Sequence, residues 1–272
     1  MITINNFSET TEHTMKRIAI ELFGQLRMWD MQDSFSKLET FLNNEGFSVD
    51  FFGTFWDDEY TNSYVDKGAF EHFKSLQLLQ EPNFDRYTLK KYFYSLKESV
   101  RQRKEYQNKQ NINYEFVIQT RPDLEFILEN EYDLSSSRFK EFMVSLKKHT
   151  DTSCVFTKIA HGTTRVDDKF IIGNELAANK LGDSFDKCSD FRYHHGLYYA
   201  IKKLVDRIDE SNGSKIFFNT NLYRHKILEE LNFDDDMHTN DKGFIREYLK
   251  DIQDTSILKG EIERLGDIKL WN

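Results

Sequence analysis

The stretch from Arg17 to Asp58 most constrains the fold of this chain. RIAIELFG, Arg17–Gly24, is a short apolar run, β-branched in part and closed by glycine, so it reads as a buried strand entering the tight loop GQLR. DSFSKLETFLN, Asp33–Asn43, then spaces Phe35, Leu38, Phe41 and Leu42 at helical intervals, and Gly46 follows its end. VDFFGTFWDD, Val49–Asp58, returns to strand chemistry and finishes on acids. Strand, helix and strand within about forty residues form a βαβ unit, which requires parallel strands and a right-handed crossover.

A second helical pattern runs over Tyr87–Gln107, with Leu89, Phe93, Leu96 and Val100 on one face. The polar turn NKQNIN leads into YEFVIQT, a third strand. This ordering predicts an α/β fold, a mostly parallel central sheet flanked by helices. Its functional loops gather at the carboxyl ends of strands, so the segments after Gly24, Thr54 and Thr120 should converge. Further along, SSSRFKEFMVSLKK, Glu175–Lys180 and Gly196–Ile208 read as helices. TSCVFTKI and DKFIIGN read as strands, and KIFFNTNLYRHKILEEL as a short strand entering a helix. With no repeat or Pro/Gly/Ser linker, the expectation is a polar leader (1–15), one domain (16–240) and a helical extension packed on it (241–272).

Composition removes several function classes. A 272-residue chain with 39% hydrophobic and 15% aromatic residues has ample material for a core. A formal charge of -9 argues against a general nucleic-acid binder. Two cysteines make neither a disulfide framework nor a four-ligand zinc site. No run approaches the ~18 apolar residues of a membrane span, and the first residues lack a signal peptide's apolar centre. The expected location is therefore cytoplasmic, in solution or peripherally at a membrane surface.

The sequence lacks G-x-G-x-x-G after the first strand, and has no G-x-x-x-x-G-K-[ST], H-E-x-x-H or G-x-S-x-G. Its chemistry must come from acids and arginines. In TRPDLEF, Pro122 cannot donate to a ladder and ends strand pairing, while Arg121, Asp123 and Glu125 share one side of an extended chain. That set could bind a diphosphate directly, hold a divalent cation, or simply be a salt-bridged strand end. In FGQLR, Gly24 permits close backbone approach, and Arg27 either meets a phosphate or is solvated. TFWDDEY offers Trp56 for stacking and Asp57 or Asp58 for ribose hydroxyls; the competing reading is a core-edge aromatic before a helix cap. VDDKF places Asp167 and Asp168 beside a strand, where one could be a general base. FDDDMH, Asp234 to His238, reads as a solvated acidic loop, and His194 and His195 as helix-entry residues.

Taken in order, IELFGQLR, VDFFGTFWDD, YFYSLKESVRQRKEY, YEFVIQTRPDLEF and DDKFIIGN resemble a group of small glycosyltransferases from bacterial polysaccharide loci and large viruses, with a GT-A-like nucleotide-sugar fold. The resemblance covers Arg17–Asn174. It implies transfer of a sugar from a nucleotide-diphosphate sugar to a hydroxyl of a glycan or lipid-linked precursor. It further implies that Gly24, Gln25 and Arg27 border the nucleotide, with Thr54, Trp56 and Asp57 opposite. RPDLEF stands at the family's Asp-x-Asp metal motif: Asp123 matches the second Asp and Arg121 occupies the place of the first. Either Asp123 with Glu125 holds Mn²⁺ or Mg²⁺, or the Arg121 guanidinium neutralises the leaving diphosphate. Asp168 or Asp167 would contact the acceptor or serve as its base. The rival readings are a non-catalytic nucleotide-sugar or glycan-binding protein and, behind it, a metal-dependent phosphohydrolase.

Overall fold

The computed structural model describes residues 16–27, 29, 34–84, 89–122, 124–127, 152–159, 166–188, 193–210 and 219–222. Among these, β1 (Lys16–Gly24), α1 (Ser34–Asn44) and β2 (Phe47–Trp56) form the expected βαβ unit, with β1 and β2 parallel from Lys16↔Phe47 to Gly24↔Phe55. Then follow α2 (Glu59–Asp66), β3 (Ser75–Leu79), α3 (Lys90–Gln110), β4 (Phe116–Thr120) and β5 (Leu124–Ile127). After these come β6 (Cys154–Ile159), β7 (Val166–Asn174), α4 (Glu175–Gly182), α5 (Ser184–Cys188), α6 (Tyr193–Leu204), β8 (Arg207–Glu210) and β9 (Asn219–Leu222).

Seven of the strands form one sheet in the order β3-β2-β1-β4-β7-β6-β8. All neighbours are parallel except β7, which runs against both β4 and β6. The fold is therefore α/β with a mostly parallel sheet flanked by helices, as the sequence predicts. β5 and β9 pair antiparallel in a separate two-stranded sheet. The main chain leaves the large sheet at Arg121–Pro122, where the proline lacks the amide that would continue the ladder.

Alternation along β1 divides the core between two faces. Ile18, Ile20 and Leu22 pack with Phe35, Leu38 and Leu42 of α1 and with Val49, Phe51 and Phe55 of β2. On the opposite face Phe23 joins Leu89, Phe93, Leu96 and Val100 of the α3 region, Ala177 and Leu181 of α4, and Leu197, Ala200 and Ile201 of α6. Between these helices and the sheet lies a charged group that the hydrophobic pattern did not announce. Arg103 and Glu21 are both fully buried and joined by an Nε–Oε1 bond of 2.6 Å. Gln119 Nε2 donates to the other Glu21 oxygen at 2.8 Å, and Arg103 also donates to Gln107 and to Asn179, the latter at 2.7 Å. At the amino edge of the sheet, buried Asp50 accepts from the Tyr114 hydroxyl at 2.8 Å and from Arg17 at 3.1 Å. Burial, then the Asp50 carboxylate, pushes the Tyr114 hydroxyl far above its ordinary pKa.

Two expectations are corrected. SLQLL forms β3, so YEFVIQT supplies the fourth strand rather than the third. The helix expected over Gly196–Ile208 ends at Leu204, and Arg207–Glu210 turns into β8 beside β6. The leader (1–15), the SSSRFKEFMVSLKK helix, the helix after β9, the FDDDMH loop and the extension (241–272) lie outside the described residues.

Candidate active site

The four parallel strands β3, β2, β1 and β4 end on one edge, so Gln80, Asp57, Gln25 and Arg121 follow one another across it. Because β7 is reversed, its beginning lies at this same edge. Thr120 pairs with Phe170, which places the backbone of Asp167 and Asp168 just beyond Arg121. Sequence reasoning expected three segments to converge; the register brings them together and adds β7.

Gly24 closes β1 with φ of +100°, a conformation that an L side chain rarely adopts. An added Cβ there would meet nothing within 4 Å, so the requirement is conformational, not steric crowding. Downstream, Leu26 is fully buried, and the Trp29 ring packs on Phe35 and Phe70 at 6.2 and 5.0 Å. The Trp29 backbone N–H donates to the Tyr60 hydroxyl at 2.9 Å. These anchors fix the loop from inside. Gln25 and Arg27 are left half-buried, with Arg27 Nε and Nη2 both donating to Gln25 Oε1, the former at 2.9 Å.

At the exit of β2 the expected residues divide. Thr54 is fully buried beneath α3 and its hydroxyl accepts from Gln102 Nε2 at 3.2 Å. Trp56 is also buried, its ring parallel to Tyr94 of α3 at 6.4 Å. Asp58 caps α2, accepting the Thr61 N–H at 2.7 Å. Asp57, by contrast, is exposed. Its N–H donates to Leu79 O at 2.8 Å, joining it to the end of β3. Its Oδ1 accepts from Asn62 Nδ2 at 2.9 Å and its Oδ2 from Gln80 Nε2 at 2.6 Å. Neither amide was singled out by sequence reasoning: Asn62 is one polar residue of a short helix, and Gln80 follows a strand the pattern did not reveal.

Arg121 is half-buried, and the chain turns away immediately after it. Asp123 lies outside the described residues. Glu125 sits on β5, opposite Asn221 of β9 in the separate two-stranded sheet. Among the described residues no three His, Cys, Asp or Glu side chains gather as a metal site. No helix among them is long and apolar enough to cross a membrane.

Across the edge an acid follows β2, an arginine follows each of the two central strands β1 and β4, and the sequence begins β7 with Val166, Asp167 and Asp168. From β2 to β7 is three inter-strand steps, about 14 Å at ordinary sheet spacing. Such an edge can seat a molecule with an anionic centre and neutral hydroxyl-bearing ends.

No protein-family model and no curated protein matches the chain. Among solved structures, it is similar over 58% of its length to a glycosyltransferase involved in the glycosylation of the major capsid of PBCV-1, at 12% identity and a TM-score of 0.36, covering 79% of that chain. It is similar over 84% of its length to TarS 1-349 of S. aureus, at 9% identity and a TM-score of 0.41, covering 68% of that chain. A nucleoside-diphosphate-sugar pyrophosphorylase from Vibrio cholerae is matched over 71% of this chain and 92% of that one, at 12% identity and a TM-score of 0.35.

Proposed function

We propose that the carboxyl edge of the sheet is the donor site of a glycosyltransferase that moves a sugar from a nucleotide-diphosphate sugar to a glycan or lipid-linked hydroxyl. The observation that carries this reading is the order of charge along the edge. Arg27 and Arg121 flank its centre, Asp57 lies on the β2 side, and Asp167 and Asp168 enter on the β7 side. A diphosphate fits between guanidinium groups, which bind it with paired charged hydrogen bonds. Gly24 lets the backbone approach, and Gln25 steers the Arg27 fork. Asp57 then meets the nucleoside hydroxyls, while Thr54 and Trp56 support the floor from beneath α3.

In this mechanism Arg121 stabilises charge developing on the departing diphosphate, the work that preorganised cations do in transfer reactions. Asp168, or Asp167 beside it, takes the proton of the acceptor hydroxyl as that oxygen attacks the sugar's anomeric carbon. Asp123, with Glu125, is the pair that would hold Mn²⁺ or Mg²⁺, which when bound neutralises diphosphate charge.

The test combines binding with turnover. A panel of nucleotide sugars, with and without Mn²⁺, should contain one donor that raises the unfolding midpoint; a ligand at a hundred times its Kd adds about 2.7 kcal/mol to native stability. Arg121→Ala should lower turnover by about a hundredfold, in the range for loss of a charge-stabilising donor. Asp168→Asn should abolish transfer while leaving donor affinity within about twofold, because a general base acts on the acceptor. A shift that requires Mn²⁺ supports the Asp123 arrangement, and one indifferent to it supports Arg121 alone. Full transfer by both Arg121→Ala and Asp123→Ala would remove this assignment. Donor binding with neither transfer nor hydrolysis would identify the non-catalytic binding protein.

A further inference from the structure

We propose that Asn62 and Gln80 are positioning residues that hold the Asp57 carboxylate to receive two adjacent hydroxyls, so that the site selects ribonucleotides over deoxyribonucleotides. The inference rests on the donor-site reading and specifies how its β2 side works.

An ionised carboxylate only accepts hydrogen bonds, and it has about four lone-pair positions, two on each oxygen. At Asp57 one position on each oxygen is taken, Oδ1 by Asn62 Nδ2 at 2.9 Å and Oδ2 by Gln80 Nε2 at 2.6 Å. One acceptor position therefore remains on each oxygen. That is the complement of a vicinal diol, whose two O–H donors leave neighbouring carbons.

Three further features turn this acid into a recognition group. Among the described residues no Lys or Arg bridges Asp57, whereas Asp50, Asp183, Asp186 and Asp206 all have a cationic partner. Its charge is thus held by neutral amides and stays available to a donor ligand. Asn62 lies on α2 and Gln80 follows β3, so two separate elements hold the carboxylate, one at each oxygen. The Asp57 backbone N–H, bonded to Leu79 O at 2.8 Å, fixes the residue to the end of the sheet. The carboxylate plane is consequently set before a ligand arrives, which lowers the ordering cost of binding. The geometry also dictates the amide orientation, because only the nitrogen of each amide can face an acceptor-only carboxylate.

The experiment measures affinities of UDP, GDP, ADP and CDP and of their 2′-deoxy and 3′-deoxy counterparts by titration calorimetry, on the intact chain. For the tightest ribonucleotide, the wild type should prefer the ribose form over each deoxy form by about tenfold, the scale of one hydrogen bond to a charged acceptor. Asp57→Asn should erase that preference. Gln80→Leu and Asn62→Leu should each reduce it to about threefold or less, weakening the ribose form by more than either deoxy form, which keeps one hydroxyl; a tie that merely joined α2 to β3 would move both forms by the same factor. Both clamp residues are at the surface, so the two variants are expected to fold, and their unfolding midpoints check this. Equal wild-type affinity for ribo and deoxy forms overturns the diol assignment and leaves the nucleotide reading standing. A ribose preference that survives in both Leu variants overturns the positioning role. Failure of every diphosphate to bind the wild type removes the donor-site reading itself, and this inference with it.

Discussion

Arg103 shows how a single side chain can hold a layer together from inside. It is fully buried, yet it carries a charge that Glu21 balances and donors that Gln107 and Asn179 receive. Removing one member of such a pair leaves a bare charge in a dry interior, which costs about 3–5 kcal/mol. Arg103→Ala and Glu21→Ala should each lose that much in urea titrations. A Glu21→Leu/Arg103→Met double variant should recover most of it, because desolvation of the ions disappears along with their attraction. A double variant no better than the singles would show that Gln119 and Asn179, left unpaired, dominate the loss. The sequence contained a usable signal. Leu96 and Val100 mark the inward face of α3, and the same spacing continued by three and four residues reaches Arg103 and Gln107. Hydrophobic periodicity identifies apolar positions only, so in RQRKEY it could not say which cation turned inward. Thr54 and Trp56 posed the converse difficulty: both types suit a ligand site, and alternation beneath α3 buried them instead.

Between elements, close approach and a shared carboxylate do the joining. Gly182 ends α4 against α3, and a Cβ there would come within 2.8 Å of Val100 Cγ1. Gly182→Ala should therefore destabilise by about 1–3 kcal/mol, the usual cost of overpacking. Val100→Ala should restore part of that loss in the double variant, a coupling that a thermodynamic cycle measures directly. Asp206, between α6 and β8, receives Lys180 Nζ at 2.8 Å, Ser153 Oγ at 2.6 Å and the Ser153 N–H at 2.9 Å. Lys180 first, then these Ser153 bonds, holds its carboxyl well below the ordinary 3.8. A lowered carboxyl pKa means a contribution that is complete above about pH 4 and fades as the folded-state group protonates at lower pH. Asp206→Asn should accordingly be less stable than wild type at pH 7, and the difference should shrink in urea midpoints taken at pH 4 and then 2.5. A constant difference would assign the effect to packing. Elements with strong periodicity, β1, α1, β2 and α3, were legible in the sequence. β3 was not: four of its five residues are half-exposed, and an edge strand need not alternate sharply. The α6–β8 boundary was missed because Val205–Ile208 continues an apolar spacing that suits either state.

At the scale of the molecule, the sheet separates a structural edge from a candidate functional one. The amino edge is tied by Asp50 to Tyr114, Arg17 and Lys74, and its charges are consumed in those contacts. The carboxyl edge carries Gly24, Arg27, Asp57 and Arg121 on loops anchored from below, which is where a scaffold of this class can change ligands without changing its core. Hydrogen exchange should report the two edges differently. Without ligand, amides of β1 and β4, in the middle of the sheet, should exchange only through the largest opening, and those of edge strand β3 through smaller ones. Adding the nucleoside diphosphate that binds best should slow exchange at residues 24–27, 57–62 and 80 by more than at Asp50 and Tyr114, which gain no more than the shift common to global opening. The mechanism is local: a ligand that bridges loops raises the free energy of opening those loops, while the global opening shifts everywhere by the same amount. Protection that instead concentrated at Asp50, Lys74 and Tyr114 would place the ligand on the amino edge, and the donor site would have to be sought there.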